Sequence, residues 1–205
     1  MAIEELFFTV EGEDNLNQEI VKKFMNERKI IINQEVSDDL LEKVCMMILR
    51  WNKDDKGLIQ ENRKPIYIYV NSSGGDVILS MNILDVIKNS ITPVITVGFG
   101  ICASMASHIL ASGHIRYCFN NTVVLYHDGQ AGYVSSGNKG KDIQKFYDEL
   151  DNRMAKFMIE NTKMSAEFLE EIKDREYYIF ADEAKKHGIV DKIIGIDCEI
   201  DEILV

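Results

Sequence analysis

Short runs of β-branched and aromatic residues alternate along the chain with longer stretches whose apolar positions recur at helical spacing. Ile66-Tyr67-Ile68-Tyr69-Val70 is of strand type. Val77, Ile78, Met81, Ile83, Leu84 and Ile87 then predict a helix over 77–88. Residues 29–32 predict an earlier strand, and Ser37 an N-cap, with Asp38 and Asp39 in the first turn of a helix running to about Trp51. NKDDKGLIQENRKP is a polar loop into the strand at Ile66. Further on, 94–97 predicts a strand, GFGICASMASHILASG another strand-turn-helix, and 115–118 and 122–126 two more strands. HDGQAGYVSSGNKGK reads as a Gly/Ser-rich loop before a long helix over roughly 142–163. A shorter helix follows Ser165, 177–180 is a strand, 182–187 a short helix closed by Gly188, and 189–194 a last strand. This alternation predicts an α/β fold with largely parallel pairing. The charged, irregular residues 1–27, with a short helix around 16–25, read as an appendage to one domain, 28–205.

Composition narrows the function more than the fold. A chain of 205 residues, 46% hydrophobic, has enough apolar material for one sizeable core. Its formal charge of −11 argues against general nucleic-acid binding and leaves peptide or neutral ligands open. Cys45, Cys102, Cys118 and Cys198 are widely spaced without a C-x-x-C pattern, which predicts reduced thiols and no structural zinc. The start, MAIEELFFTVEGEDN, lacks the basic and apolar regions of a signal peptide. Residues 89–114 contain no Asp, Glu, Lys or Arg, but Pro93, Gly98 and Gly100 punctuate them, which suits a buried strand and helix better than a membrane span. A soluble cytoplasmic protein is expected, with neither membrane nor nucleic-acid partners.

Candidate chemistry collects where strands end. Asn71-Ser72-Ser73-Gly74-Gly75-Asp76 joins a strand to a helix. Its two glycines suit a tight turn with positive φ, or a backbone whose N–H groups approach a ligand oxygen near a helix N-terminus. Ser104 lies where a strand-turn gives way to a helix of small residues, a place where serine commonly serves close packing. It also suits a nucleophile, because the following Met105 amide can donate to an oxyanion. Of the histidines, His127 ends a strand beside a loop and is the candidate base; His108, His114 and His187 lack that position. An orienting carboxylate would come from Asp174 or Glu176, which spacing does not separate and which also read as solvated acids.

Four segments in order resemble the proteolytic subunit of the Clp ATP-dependent protease, a serine peptidase family with a crotonase-like α/β fold. The family's INSPGG appears as Val70-Asn71-Ser72-Ser73-Gly74-Gly75, and its G-x-A-A-S-M-G as Gly100-Ile101-Cys102-Ala103-Ser104-Met105-Ala106. Its M-I-H-Q-P appears as Leu125-Tyr126-His127-Asp128-Gly129, and its D-R-D-x-F-M-S-A-x-E-A as the eleven residues from Asp174 to Ala184. HGIVDKII closes a resemblance that covers roughly 28–195.

The resemblance implies a spiral of strand-strand-helix units with a protruding long helix, Ser104 as nucleophile, His127 as general base, and the backbone N–H groups of Gly75 and Met105 as oxyanion hole. It implies no metal or cofactor. The second glycine would then bring its amide against the peptide carbonyl, where a side chain would obstruct it. Peptide or unfolded-protein substrates, homo-oligomeric seven-membered rings that stack, and an AAA+ unfoldase partner are implied too; the chain has no Walker signature of its own. Glu176 stands in the place of the family's catalytic aspartate, reaching further by roughly 1.5 Å. Gly129 and Ser73 replace family prolines, and the loops at 53–64 and before the long helix look enlarged. Other readings are a catalytically silent Clp-like subunit, a crotonase-fold acyl-CoA hydratase or isomerase, and a Ser-Lys peptidase using Lys88.

Overall fold

The computed structural model describes residues 15–129 and 134–204. Its elements in chain order are α1 (Asn15–Asn26), β1 (Lys29–Ile32), α2 (Asp38–Asp54), β2 (Ile66–Ser72), α3 (Val77–Lys88), β3 (Val94–Ala103) and α4 (Met105–Ser112). There follow β4 (Ile115–Phe119), β5 (Val123–Tyr126), α5 (Gly137–Asn161), α6 (Ala166–Glu171), β6 (Tyr177–Phe180), α7 (Ala181–Lys186) and β7 (Lys192–Ile194). The first 14 residues of the expected appendage, and 130–133 of the expected loop, lie outside the described residues. No described helix is long and apolar enough to cross a membrane.

The fold is α/β around a mainly parallel sheet in the order β1-β2-β3-β4-β7. β3 forks: Ile95 to Gly98 pair with β4, whereas Ile101 to Ala103 pair with β5, both in parallel. β5 in turn carries β6 antiparallel. The fork coincides with a register shift between Val70 and Ser72 on β2, the irregularity that lets a strand bend away from one neighbour towards another. Asn71 braces the bend by accepting from the Ile101 amide at 2.9 Å.

Strand alternation sorts the two faces. Ile66, Ile68 and Val70 join the main core under the helices, and Tyr67 lies on the opposite face with Ile95, Val97, Tyr117 and Ile194. A 3-10 turn, Ile200–Ile203, closes that second face: Ile203 is buried, and its carbonyl accepts from the Tyr69 hydroxyl at 2.9 Å. α1 reaches the main core through Met25. The second half of α5 docks through Leu150, Met154 and Met158, while its first half is mostly exposed.

Three boundaries and one cap differ from the sequence expectation. β3 continues through Gly98 and Gly100 to Ala103, because a bent strand, not a turn, accommodates those glycines. α5 starts at Gly137, since extending an existing helix by a turn costs far less than starting one. β7 is shortened to Lys192–Ile194, the Ile189 amide being spent on the Ala184 carbonyl at the end of α7. Ser37 precedes α2 but makes no side-chain cap; the carboxylate that does cap a helix is Asp76, which accepts from Leu79 N–H at 2.8 Å.

Candidate active site

Ser104 sits between the end of β3 and the start of α4 with φ 54° and ψ −127°. Such a conformation costs a non-glycine residue of order 1–3 kcal/mol and persists only where neighbours enforce it. Here the Ser104 amide donates to the Leu125 carbonyl at 2.9 Å, and its carbonyl accepts from the Ser107 hydroxyl at 2.7 Å. Gly74 completes the fit. With φ +98°, it lies so close that an added Cβ would stand 2.7 Å from both the Ala103 carbonyl oxygen and Ser104 Cβ, and 3.1 Å from the Met105 amide nitrogen. Ser72 steadies this turn by accepting from the Gly74 amide at 3.1 Å and donating to Gln34 at 2.6 Å.

Gly75 has a different constraint from the expected one. At φ +144° its missing Cβ would strike the Val36 backbone, 2.6 Å from the carbonyl oxygen and 2.7 Å from the nitrogen. A side chain at 75 would therefore collide with the protein's own chain, and the glycine lying against the nucleophile is Gly74. Val36 donates to the Gly74 carbonyl and accepts from the Asp76 amide. In a parallel bridge of this kind the intervening amide, that of Gly75, points away from the partner strand. Met105 is the first residue of α4, where amides lack an intrahelical acceptor. Neither amide donates to another described residue.

His127 and Glu176 are joined by strand register. Tyr126 on β5 stands opposite Tyr177 on β6, so the next residue of one faces the preceding residue of the other. Nδ1 of His127 lies 3.0 Å from Oε1 of Glu176. Asp174 is turned elsewhere: its φ is 59°, and its amide donates to the Asp128 carboxylate at 2.6 Å. A carboxylate at Nδ1 holds the proton on that nitrogen and leaves Nε2 with a lone pair. Ala103 pairs with Leu125, which puts Ser104 and His127 at the ends of adjacent strands; among the described residues no hydrogen bond joins the Ser104 hydroxyl to the imidazole.

His108, which does not end a strand, is also part of this neighbourhood. It is buried, with Nδ1 3.3 Å from the Ser104 carbonyl oxygen and its ring stacked on Tyr126 at 5.7 Å. Its Nε2 is buried without a hydrogen-bond partner among the described residues. Burial pushes its pKa down to about 4, so the imidazole is held neutral. The only sequence signal was its four-residue spacing from Ser104. Lys88 is not brought to the site: it ends α3, a helix about 18 Å long that begins at the glycine turn.

Residues 12–197 match the family model described as Clp protease. An ATP-dependent Clp protease proteolytic subunit 2 from Tropheryma whipplei (strain Twist) is 31% identical over 181 residues, which are 86% of this chain and 96% of that protein. The protein of that description from Prochlorococcus marinus (strain MIT 9312) is 32% identical over 173 residues, 82% of this chain and 81% of its own. An ATP-dependent Clp protease proteolytic subunit 1 from Streptomyces coelicolor (strain ATCC BAA-471 / A3(2) / M145) is 28% identical over 182 residues, 88% of this chain and 80% of that one. On sequence, fold and the order of its strand-end residues, the chain belongs to the Clp protease family.

Proposed function

We propose that this Clp-family chain is a serine endopeptidase in which Ser104 is the nucleophile, His127 the general base and Glu176 the carboxylate that orients it. The observation that carries the reading is the 3.0 Å contact between His127 and Glu176, made at the strand end beside Ser104. Ser104 Oγ attacks the peptide carbonyl as its proton passes to His127 Nε2, and Glu176 stabilises the imidazolium that forms. The oxyanion is received by the Gly75 and Met105 amides, each of which is worth roughly 10²–10³ in turnover. His127 then gives its proton to the leaving amine, and water releases the acyl group by the same route in reverse. Bringing Ser104 and His127 into hydrogen-bond contact falls to substrate binding or assembly, as catalytic contacts often tighten only in the complex.

We infer assembly into a homo-oligomeric ring, single or stacked, and supply of unfolded protein by an AAA+ unfoldase; the family and the names of the relatives, proteolytic subunits of ATP-dependent proteases, support this reading. We place the working protein in the cytoplasm and divide it into a leading segment, 1–27, and a peptidase domain, 28–205. That no hydrogen bond joins the Ser104 hydroxyl to His127 among the described residues favours one second reading, a subunit silent until a partner engages it. Peptide hydrolysis by the purified oligomer decides: Ser104→Ala should abolish it while leaving the oligomer's size unchanged, and retained hydrolysis would contradict the assignment.

A further inference from the structure

Beside Gly75 the surface opens into a cavity of about 270 Å³. Val77 and Ile78 form one wall at the start of α3, and Phe146, Leu150 and Met154 another along α5. Leu150 and Met154 are buried, whereas Ile78 and Phe146 are each 49% exposed, so the apolar walls run from a closed floor to an open rim. Asp151 also lines this cavity. Its Oδ1 stands 2.8 Å from where a Cβ on Gly129 would be, on the side of the chain that leads from His127.

Asp151 takes a hydrogen bond from the Gly129 backbone amide, but its negative charge is not balanced there by a cation. Among the described residues it forms no ion pair, and partial burial together with Asp128 holds its carboxyl above the usual range. Asp76, the other acid of the lining, is engaged as the cap of α3. Lys173, the cation that acts on Asp151 from a distance, is itself 3.6 Å from Glu170.

Resting on the peptidase reading above, we propose that Asp151 is a specificity residue, selecting lysine or arginine as the residue whose carbonyl Ser104 attacks. A carbonyl held by the Gly75 amide presents its own side chain to the adjoining cavity. Lysine and arginine carry an apolar stem that the Ile78, Phe146 and Leu150 walls cover, and a cationic end that meets the rim carboxylate. Methionine fills the same walls and leaves Asp151 unpaired. Glutamate faces repulsion from Asp151 and from Asp128 and Asp148 beside it.

The test uses the assembled protein and three phosphonate probes read by intact mass: two peptidyl phosphonates identical except for lysine or methionine at the phosphorus-bearing residue, and a small fluorophosphonate with no side chain. The lysine probe should react roughly fivefold to tenfold faster than the methionine probe, the scale of a partly solvated charge-assisted contact. Asp151→Asn should bring that ratio close to one, and Asp151→Glu should preserve most of it; the ratio cancels any common effect on the nucleophile. A wild-type ratio at or below one, or a ratio that Asp151→Asn leaves intact, overturns the proposal. The small probe separates the two claims. If it labels the wild type while the lysine probe shows no preference, Ser104 is reactive and the specificity claim alone is lost. If it does not label, the peptidase reading falls and this inference falls with it.

Discussion

His108 carries its burial one helical turn from the nucleophile, and that makes the surroundings of Ser104 sensitive to acid. Its pKa falls from 6.5 to about 4 on folding, chiefly through burial, which outweighs the opposing contact with the Ser104 carbonyl. Between those values the unfolded chain binds a proton that the folded chain does not, so stability drops as pH falls through this window and is restored above it. The full effect is roughly 3 kcal/mol. Denaturant unfolding at a series of pH values should show this slope, and His108→Phe, which removes the titrating group, should flatten it; an unaltered slope would exclude His108 as its source. Residue types at Ser104 and His127 were legible because both fall at element ends. What a side chain at Gly75 would strike was not legible, since the backbone that forbids it is that of Val36, thirty-nine residues away. Nor was the burial of His108 legible, because a helix of small residues shows no polar face to contrast with.

Pairing between β5 and β6 decides what the sequence left open between Asp174 and Glu176. Two residues apart, they would share a face of one strand, and either could meet the histidine. Antiparallel register with Tyr126 opposite Tyr177 selects Glu176, and the positive φ of Asp174 takes it out of the strand altogether. Glu176→Ala should accordingly lower kcat/KM for a peptide by roughly 10²-fold or more, whereas Asp174→Ala should change it only a few-fold. The reverse ranking in steady-state kinetics would mean that another register operates in the working enzyme. The elements themselves are legible where apolar periodicity is unbroken, as in β2 and α3. Elements are hidden in the sequence where glycine falls within or at the start of one without ending it, at Gly98 and Gly100 in β3 and at Gly137 and Gly140 in the first turn of α5. Glycine usually marks a turn; in both places the surrounding chain supplied the geometry instead.

Across the whole molecule, apolar surface remains after the two cores are filled. Tyr178 and Phe180 on β6 are 59% and 61% exposed, on a strand that among the described residues pairs only with β5, on one side. An edge strand carrying large apolar side chains is a surface a monomer would not keep. Native mass spectrometry should therefore find the wild type as a ring-sized oligomer, and Phe180→Glu should shift it to smaller species; a wild-type monomer at micromolar concentration would contradict ring assembly. The α/β class and largely parallel pairing were legible from alternation, whereas the strand order and the fork of β3 were not, because they depend on which strands meet in space and on a single strand serving two partners. Reaction at Ser104 tests the account most directly. Intact-mass analysis after treatment with a fluorophosphonate should show one adduct on the wild type and none on Ser104→Ala. No adduct on folded, oligomeric wild type, or an adduct that survives the substitution, would contradict a nucleophilic Ser104 served by His127.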